Sequence, residues 1–169
     1  MIRTFGGLSL GAALLAVSIS TAATAGEISV SPQERASLEM RLLQTELMVS
    51  ALACSARDSY NSFVTRFQSD LIKNGRTIKE LFDRVHGKDG TARLNSFVTQ
   101  VANDASMKSL QMGEQFCTDT AKTFQALLTG STTLEATRSQ YRCTPIGNFS
   151  GCLIEAGGEH VAAQDAVAR

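Results

Sequence analysis

The chain has no tryptophan, two prolines and four cysteines, and aromatics are only 6% of its 169 residues. Neither sign of charge is in excess, with sixteen Lys and Arg against sixteen Asp and Glu. Each shortage excludes something. Without surplus positive charge the chain lacks the electrostatic footprint of a nucleic-acid binder. Four cysteines fall well short of the roughly 8–10% that marks a dense disulfide scaffold. An apolar content of 43% with no net charge is not the composition of a disordered chain. No series of long apolar runs is present, so the chain is not polytopic. What remains is one globular domain, long enough to bury a core.

The first 25 residues have the layout of a secretory signal peptide. Arg3 supplies the positive start. Leu8 to Ile19 form an apolar stretch broken only by Ser9, Gly11 and Ser18, and Ala23-Thr24-Ala25 offers the small side chains that a signal peptidase accepts. The run is shorter than the roughly 20 residues a helix needs to cross a bilayer. Cleavage after Ala25 leaves a mature chain of net charge −1 with no integral membrane span. The style of the signal points to a Sec-exported bacterial protein, periplasmic or secreted.

The mature chain reads as all-α, a bundle of about four helices over 26–130. Ser31-Pro32-Gln33-Glu34 combines an N-cap, a proline for the first helical position and a capping-box glutamate. Leu38, Leu42, Leu43, Leu47, Ala51, Leu52 and Cys54 follow at helical spacing, which predicts a helix over 32–54. Tyr60, Phe63, Val64, Phe67, Leu71, Ile78, Leu81, Phe82 and Val85 hold one phase and predict a single helix over 57–86, weakest at Asn74-Gly75. Leu94, Phe97, Val98, Val101, Ala102 and Ala105 predict a third helix over 91–105. Asp104 and Ser106 offer a restart for a fourth over 107–129, ended by Gly130. Ser131 to Gln140 has the makings of a short helix. The whole of 131–169 reads as a loop-rich, partly flexible extension with Pro145, Gly147 and Gly151 between two cysteines.

Export places Cys54, Cys117, Cys143 and Cys152 in an oxidising compartment, where an even number implies disulfides. Three pairings are open. Two cysteines lie on predicted helical faces and two lie together in the extension, which favours Cys54–Cys117 and Cys143–Cys152. Spacings of 62, 25 and 8 residues do not match a zinc motif. No C-x-x-C or C-x-x-C-H is present, so neither a thioredoxin-like site nor covalent c-type haem is expected.

Candidate chemistry is sparse. Glu80, Asp83 and His86 succeed one another at three-residue spacing on a predicted helix. A carboxylate with an imidazole suits a metal or an acid–base pair, so these three are the candidates for a metal-dependent or hydrolytic enzyme. Lys79 and Arg84 are interleaved and would pair with the acids. No G-x-S-x-G, H-E-x-x-H or phosphate-binding glycine loop occurs. No catalytic residue and no cofactor are expected. Met40, Met48, Met107 and Met112 are too scattered for a copper site and read as core filler. Asn148-Phe149-Ser150 fits the glycosylation acceptor pattern but is expected to be inert in a bacterial protein, and His160 has no expected role.

Charge is unevenly spread. Arg57 to Arg93 holds eight basic and five acidic residues, between acidic flanks. Arg66, Lys73, Arg76 and Lys79 form a modestly basic side that suits an acidic protein or an anionic envelope surface. The leading expectation is an exported, non-enzymatic protein that binds a protein or cell-envelope partner. Besides the Glu80/Asp83/His86 enzyme, a small-molecule carrier is an alternative, with an apolar pocket lined by Phe63, Phe67, Phe97 and Phe124. Mass mapping without reduction is expected to find no free thiol, and two or more free thiols would refute the pairing.

Overall fold

The computed structural model describes residues 30–141, and the predicted signal segment, cleavage site, Cys143–Cys152 pair, Asn148 and His160 lie outside them. Six α-helices follow in order: α1 Pro32–Ala53, α2 Arg57–Arg66, α3 Gln68–His86, α4 Gly90–Met112, α5 Glu114–Thr129 and α6 Leu134–Arg138. A 3₁₀ turn, Gly87–Asp89, joins α3 to α4, and no strand occurs among the described residues. The all-α bundle expected from the spacing is present, with α1, α3, α4 and α5 as its long members.

The start of α1 follows its local chemistry. The Ser31 hydroxyl accepts from the Glu34 amide at 3.3 Å, and the Glu34 carboxylate accepts from the Ser31 amide at 2.8 Å. Pro32 opens the helix at no cost, because its missing N–H would have no helical partner there. Glu34 also receives Arg84 at 2.7 Å, tying the start of α1 to the end of α3.

Beyond this cap, α1 departs from a one-faced helix. Leu38, Met40, Leu42, Leu43, Leu47, Val49 and Ala51 are buried, together with Ser37, Thr45, Glu46 and Ser50. These positions go round most of the helix, and α1 touches every other helix of the bundle. A helix enclosed in this way has little amphipathic asymmetry. Its apolar residues therefore feed separate clusters. Leu38 and Leu42 pack with Ile78, Leu81, Phe82, Phe97 and Val101 of α3 and α4. Met40, Leu43 and Leu47 pack with Phe63, Phe124 and Leu127 of α2 and α5. Val49 packs with Ala105 and Phe116 beside Cys54 and Cys117.

Cys54 and Cys117 are joined, with Cα atoms 5.5 Å apart. The bond links the C-cap of α1 to the first turn of α5. It spans a sequence separation of 63, for which the loop-entropy model gives about 4 kcal/mol of stabilisation.

Two boundaries differ from expectation. The 57–86 segment breaks at Phe67, not at Asn74-Gly75. Phe67 sits at φ −108°, ψ 20°, its ring packed on Phe63 at 5.4 Å and covered by the Arg66 guanidinium. Arg66 also donates to the Leu128 carbonyl at 2.6 Å, holding α2 against α5. The next helix, α3, packs on α1 and α4 instead, so the chain turns between the two attachments. Asn74-Gly75 stays helical, with the Asn74 side chain accepting from Ser37 and donating to the Asp70 carbonyl.

The second correction moves the break between the third and fourth helices from 105–107 to Gly113. Ala105 is buried against Val49 and Phe116, and the Ser106 hydroxyl donates back to the Ala102 carbonyl, so helix continues through both. Gly113 takes φ +54°, ψ −124°, a conformation open to glycine and strained for other residues.

The methionine expectation also needs correction. Met40 is buried, whereas Met48, Met107 and Met112 are exposed, on parts of α1 and α4 that no helix covers among the described residues. The first residues of the expected C-terminal extension pack on the bundle. Thr133 caps α6, Thr137 is buried, and Tyr141 rests on two of the core clusters.

Gly113→Ala is expected to cost about 1 kcal/mol or more through backbone strain alone, since a Cβ there would meet nothing within 4 Å. Gly75→Ala should gain roughly 0.5–1 kcal/mol of helix stability, because its Cβ would stand at an ordinary 3.8 Å from Arg41. Urea unfolding of both variants checks the opposite signs. Burial alone would raise the pKa of the Glu34 carboxyl, but hydrogen bonds from Arg84 and Ser31 outweigh it and hold the value below the ordinary one. A depressed carboxylate stabilises above its unfolded value and loses that contribution as pH falls through the folded one. Glu34→Gln should therefore be less stable than wild type at neutral pH, with the difference closing through the acid carboxylate range.

Candidate functional site

Glu80, Asp83 and His86 share α3, but the structure gives them separate surroundings. Glu80 is exposed. Asp83 pairs with Lys79 one turn back, as the interleaved charges suggested. His86 is half-buried at the helix end, its ring 5.8 Å from that of Phe82. Among the described residues no group of three or more His, Cys, Asp or Glu is arranged to hold a metal ion.

The four phenylalanines of the carrier reading do not form one lining. Phe97 packs on Phe82 at 5.4 Å in the α3–α4 cluster. Phe63 lies in the other cluster, edge-on to Phe124 at 6.4 Å and against Phe67. Interdigitated rings of this kind fill a core, and none of the four lines the open groove described below.

The four basic candidates divide into two pairs. Arg66 is spent on the Leu128 carbonyl and the Phe67 ring, and Lys79 on Asp83. Lys73 and Arg76 are exposed, and their side chains make no ion pair or hydrogen bond among the described residues.

Lys73 stands on the wall of an open groove of about 420 Å³ between α1, α3 and α6. Its floor is apolar, from Ala36, Met40 and Leu134. Asp70, Asn74 and Thr77 extend the α3 wall beside Lys73, and Thr133, Glu135 and Arg138 form the opposite wall. Arg138 bridges Glu39 at 2.8 Å, which ties α6 to α1, and Glu135 of its own helix at 3.0 Å. Three residues on, the Tyr141 hydroxyl donates to Glu46 at 2.9 Å, and the same carboxylate receives Lys108 at 2.8 Å. Burial first, and the Glu46 carboxylate second, push the Tyr141 hydroxyl far above its ordinary pKa, so it stays a protonated donor.

Of this groove the sequence pattern singled out only Lys73. Asp70 and Asn74 sat on the same predicted helix without a distinguishing signal. Arg138 belonged to the stretch 131–140 expected as a short helix, and Tyr141 lay just beyond it in the extension read as loop-rich. The one local signal there was Thr133, three residues ahead of the Ala136 amide it caps.

Among the described residues no helix is long and apolar enough to cross a membrane. Compared with family models, curated protein sequences and solved structures, the chain matches none.

Proposed function

We propose that this is an exported, non-enzymatic helical protein that works by holding an acidic protein or cell-envelope partner. The groove between α1, α3 and α6 is its contact surface, and Lys73 and Arg76 are the charges that meet the partner. One observation carries the reading. Arg66, Lys79, Arg84, Lys108 and Arg138 have internal partners; of the exposed cations without a side-chain partner among the described residues, Arg57, Lys73, Arg76, Lys88 and Arg93, Lys73 is the one that lines the groove, and Arg76 stands one turn from it on α3. A cation held in water beside a groove keeps its charge available for steering and for an intermolecular pair. The signal-like first 25 residues, a disulfide of the kind that persists in oxidising compartments and the absence of a membrane-spanning helix among the described residues support an extracytoplasmic site of action, in the periplasm or beyond.

The test is charge reversal at both positions, Lys73→Glu with Arg76→Glu, in protein expressed in its own exporting cell and crosslinked in place. Both side chains are exposed and unpaired, so helical dichroism and thermal midpoint should not move. The specific crosslinked product seen with wild type should fall about tenfold or more and weaken as salt is raised. An unchanged product from the double variant would refute the reading.

A further inference from the structure

Most polar side chains around the groove between α1, α3 and α6 are already spent. Asn74 accepts from Ser37 and donates to the Asp70 carbonyl. The Thr77 hydroxyl donates to the Lys73 carbonyl, and that of Thr133 accepts from the Ala136 amide. Glu135 and Arg138 pair with each other. Three lining side chains have no hydrogen-bond or ion-pair partner among the described residues: Gln33, Asp70 and Lys73. The unspent charges of the lining are therefore one anion and one cation, a turn apart on α3. Arg76, a further turn along, adds a second unspent cation just beyond the lining.

An occupant has three demands to meet. It must bring a positive group to Asp70 and a negative group to Lys73 and Arg76, and it must cover the apolar floor, where Ala36 and Leu134 are half-buried. The helix sets the spacing: Asp70 and Arg76 stand about 9 Å apart along α3, at 1.5 Å per residue. An extended chain crosses that distance in about three residues, at roughly 3.3 Å each. Its side chains alternate, so the middle one points to the floor when its two neighbours point to the rim. A lipid surface meets these demands poorly. It is flat where the groove is concave, and its phosphates would face Asp70 and Glu135, where like charges repel. A run of acids alone meets the same repulsion at Asp70.

We propose that the groove holds an extended segment of a partner protein in which a Lys or Arg, an aliphatic residue and an Asp or Glu follow one another. The cation pairs with Asp70. The aliphatic side chain lies on Ala36, Met40 and Leu134, and the acid pairs with Lys73 and Arg76. The Gln33 amide, which both donates and accepts, bonds to the main chain of the segment. This segment deepens the partner reading of the groove and rests on it.

The experiment measures fluorescence anisotropy of labelled Gly/Ser-rich peptides with the oxidised full-length protein. One peptide carries a central Lys-Leu-Glu, and the controls carry Glu-Leu-Glu and Lys-Gly-Glu. Lys-Leu-Glu should bind, and both controls should bind about fivefold more weakly or less. Asp70→Lys and Lys73→Glu, both at exposed positions on α3, should each weaken Lys-Leu-Glu about tenfold without changing the helical dichroism. Asp70→Lys should at the same time tighten Glu-Leu-Glu, which mere loss of the groove would not do. Sedimentation with phosphatidylglycerol vesicles, and sedimentation velocity at rising protein concentration, test the other occupants. Vesicle binding that Asp70→Lys strengthens, with no preference among the peptides, would give the groove to a lipid surface. Self-association that Lys73→Glu abolishes would give it to a second copy. Either result would overturn the proposal, as would equal binding of all the peptides or of none. If Lys-Leu-Glu fails while charge reversal at Lys73 and Arg76 still removes the crosslinked product in the cell, the segment is wrong and the partner reading stands. If the crosslinked product survives charge reversal, the partner reading falls and the segment falls with it.

Discussion

The structure depends on the enclosure of α1. A helix buried on most of its circumference must find partners on neighbouring helices for most of the polar side chains it buries, because water reaches few of them. Ser37 is met by Asn74 of α3, Ser50 by Thr120 of α5, and Glu46 by Lys108 of α4 and Tyr141 beyond α6. Each pair acts as a register mark. Sliding any partner helix by one turn would leave a buried group unpaired at a cost of about 1–3 kcal/mol, so these contacts select one arrangement among several that the apolar residues alone would tolerate. The ends of α1 are fixed as well, by the capping box with Arg84 at one end and the disulfide to α5 at the other.

That constraint sorts the surface. Where a neighbour covers α1, charges are paired: Arg138 with Glu39 and Lys108 with Glu46 are both largely removed from solvent. Beside the start of α2, Met48 and Leu52 of α1 stay at the surface. On α3, Lys73 and Arg76 are exposed to water, Lys73 on the wall of the groove that α6 completes. The groove proposed as the contact surface is thus a consequence of the same packing.

A helix of five residues, α6 is far below the length at which isolated helices persist, and it is held by what it touches. Arg138, Thr137 and Tyr141 all reach α1 or the clusters around it. The groove wall therefore depends on tertiary contacts, and loss of the Glu39 or Glu46 pairing would dissolve it before the bundle itself. This is the physical reason that a short helix at the start of a loop-rich extension becomes part of the candidate site.

What the sequence determined on its own is what nearest neighbours in the chain control. The Ser31–Glu34 cap, the helical identity of each long segment, the Gly130 end and the partnership of Cys54 with Cys117 could all be read there, because caps, spacing and compartment act locally or through few alternatives. The tertiary structure decided where helices bend and which side chains are spent. Phe67 rather than Asn74-Gly75 became the bend because α5 holds Arg66 while α1 and α4 hold α3. Met48, Met107 and Met112 stayed outside because no helix among the described residues covers them. Arg66 and Lys73 looked alike as basic helix residues. Only the position of the Leu128 carbonyl separates a structural arginine from a free lysine, since pairing depends on distances that the order of residues along a single chain does not contain.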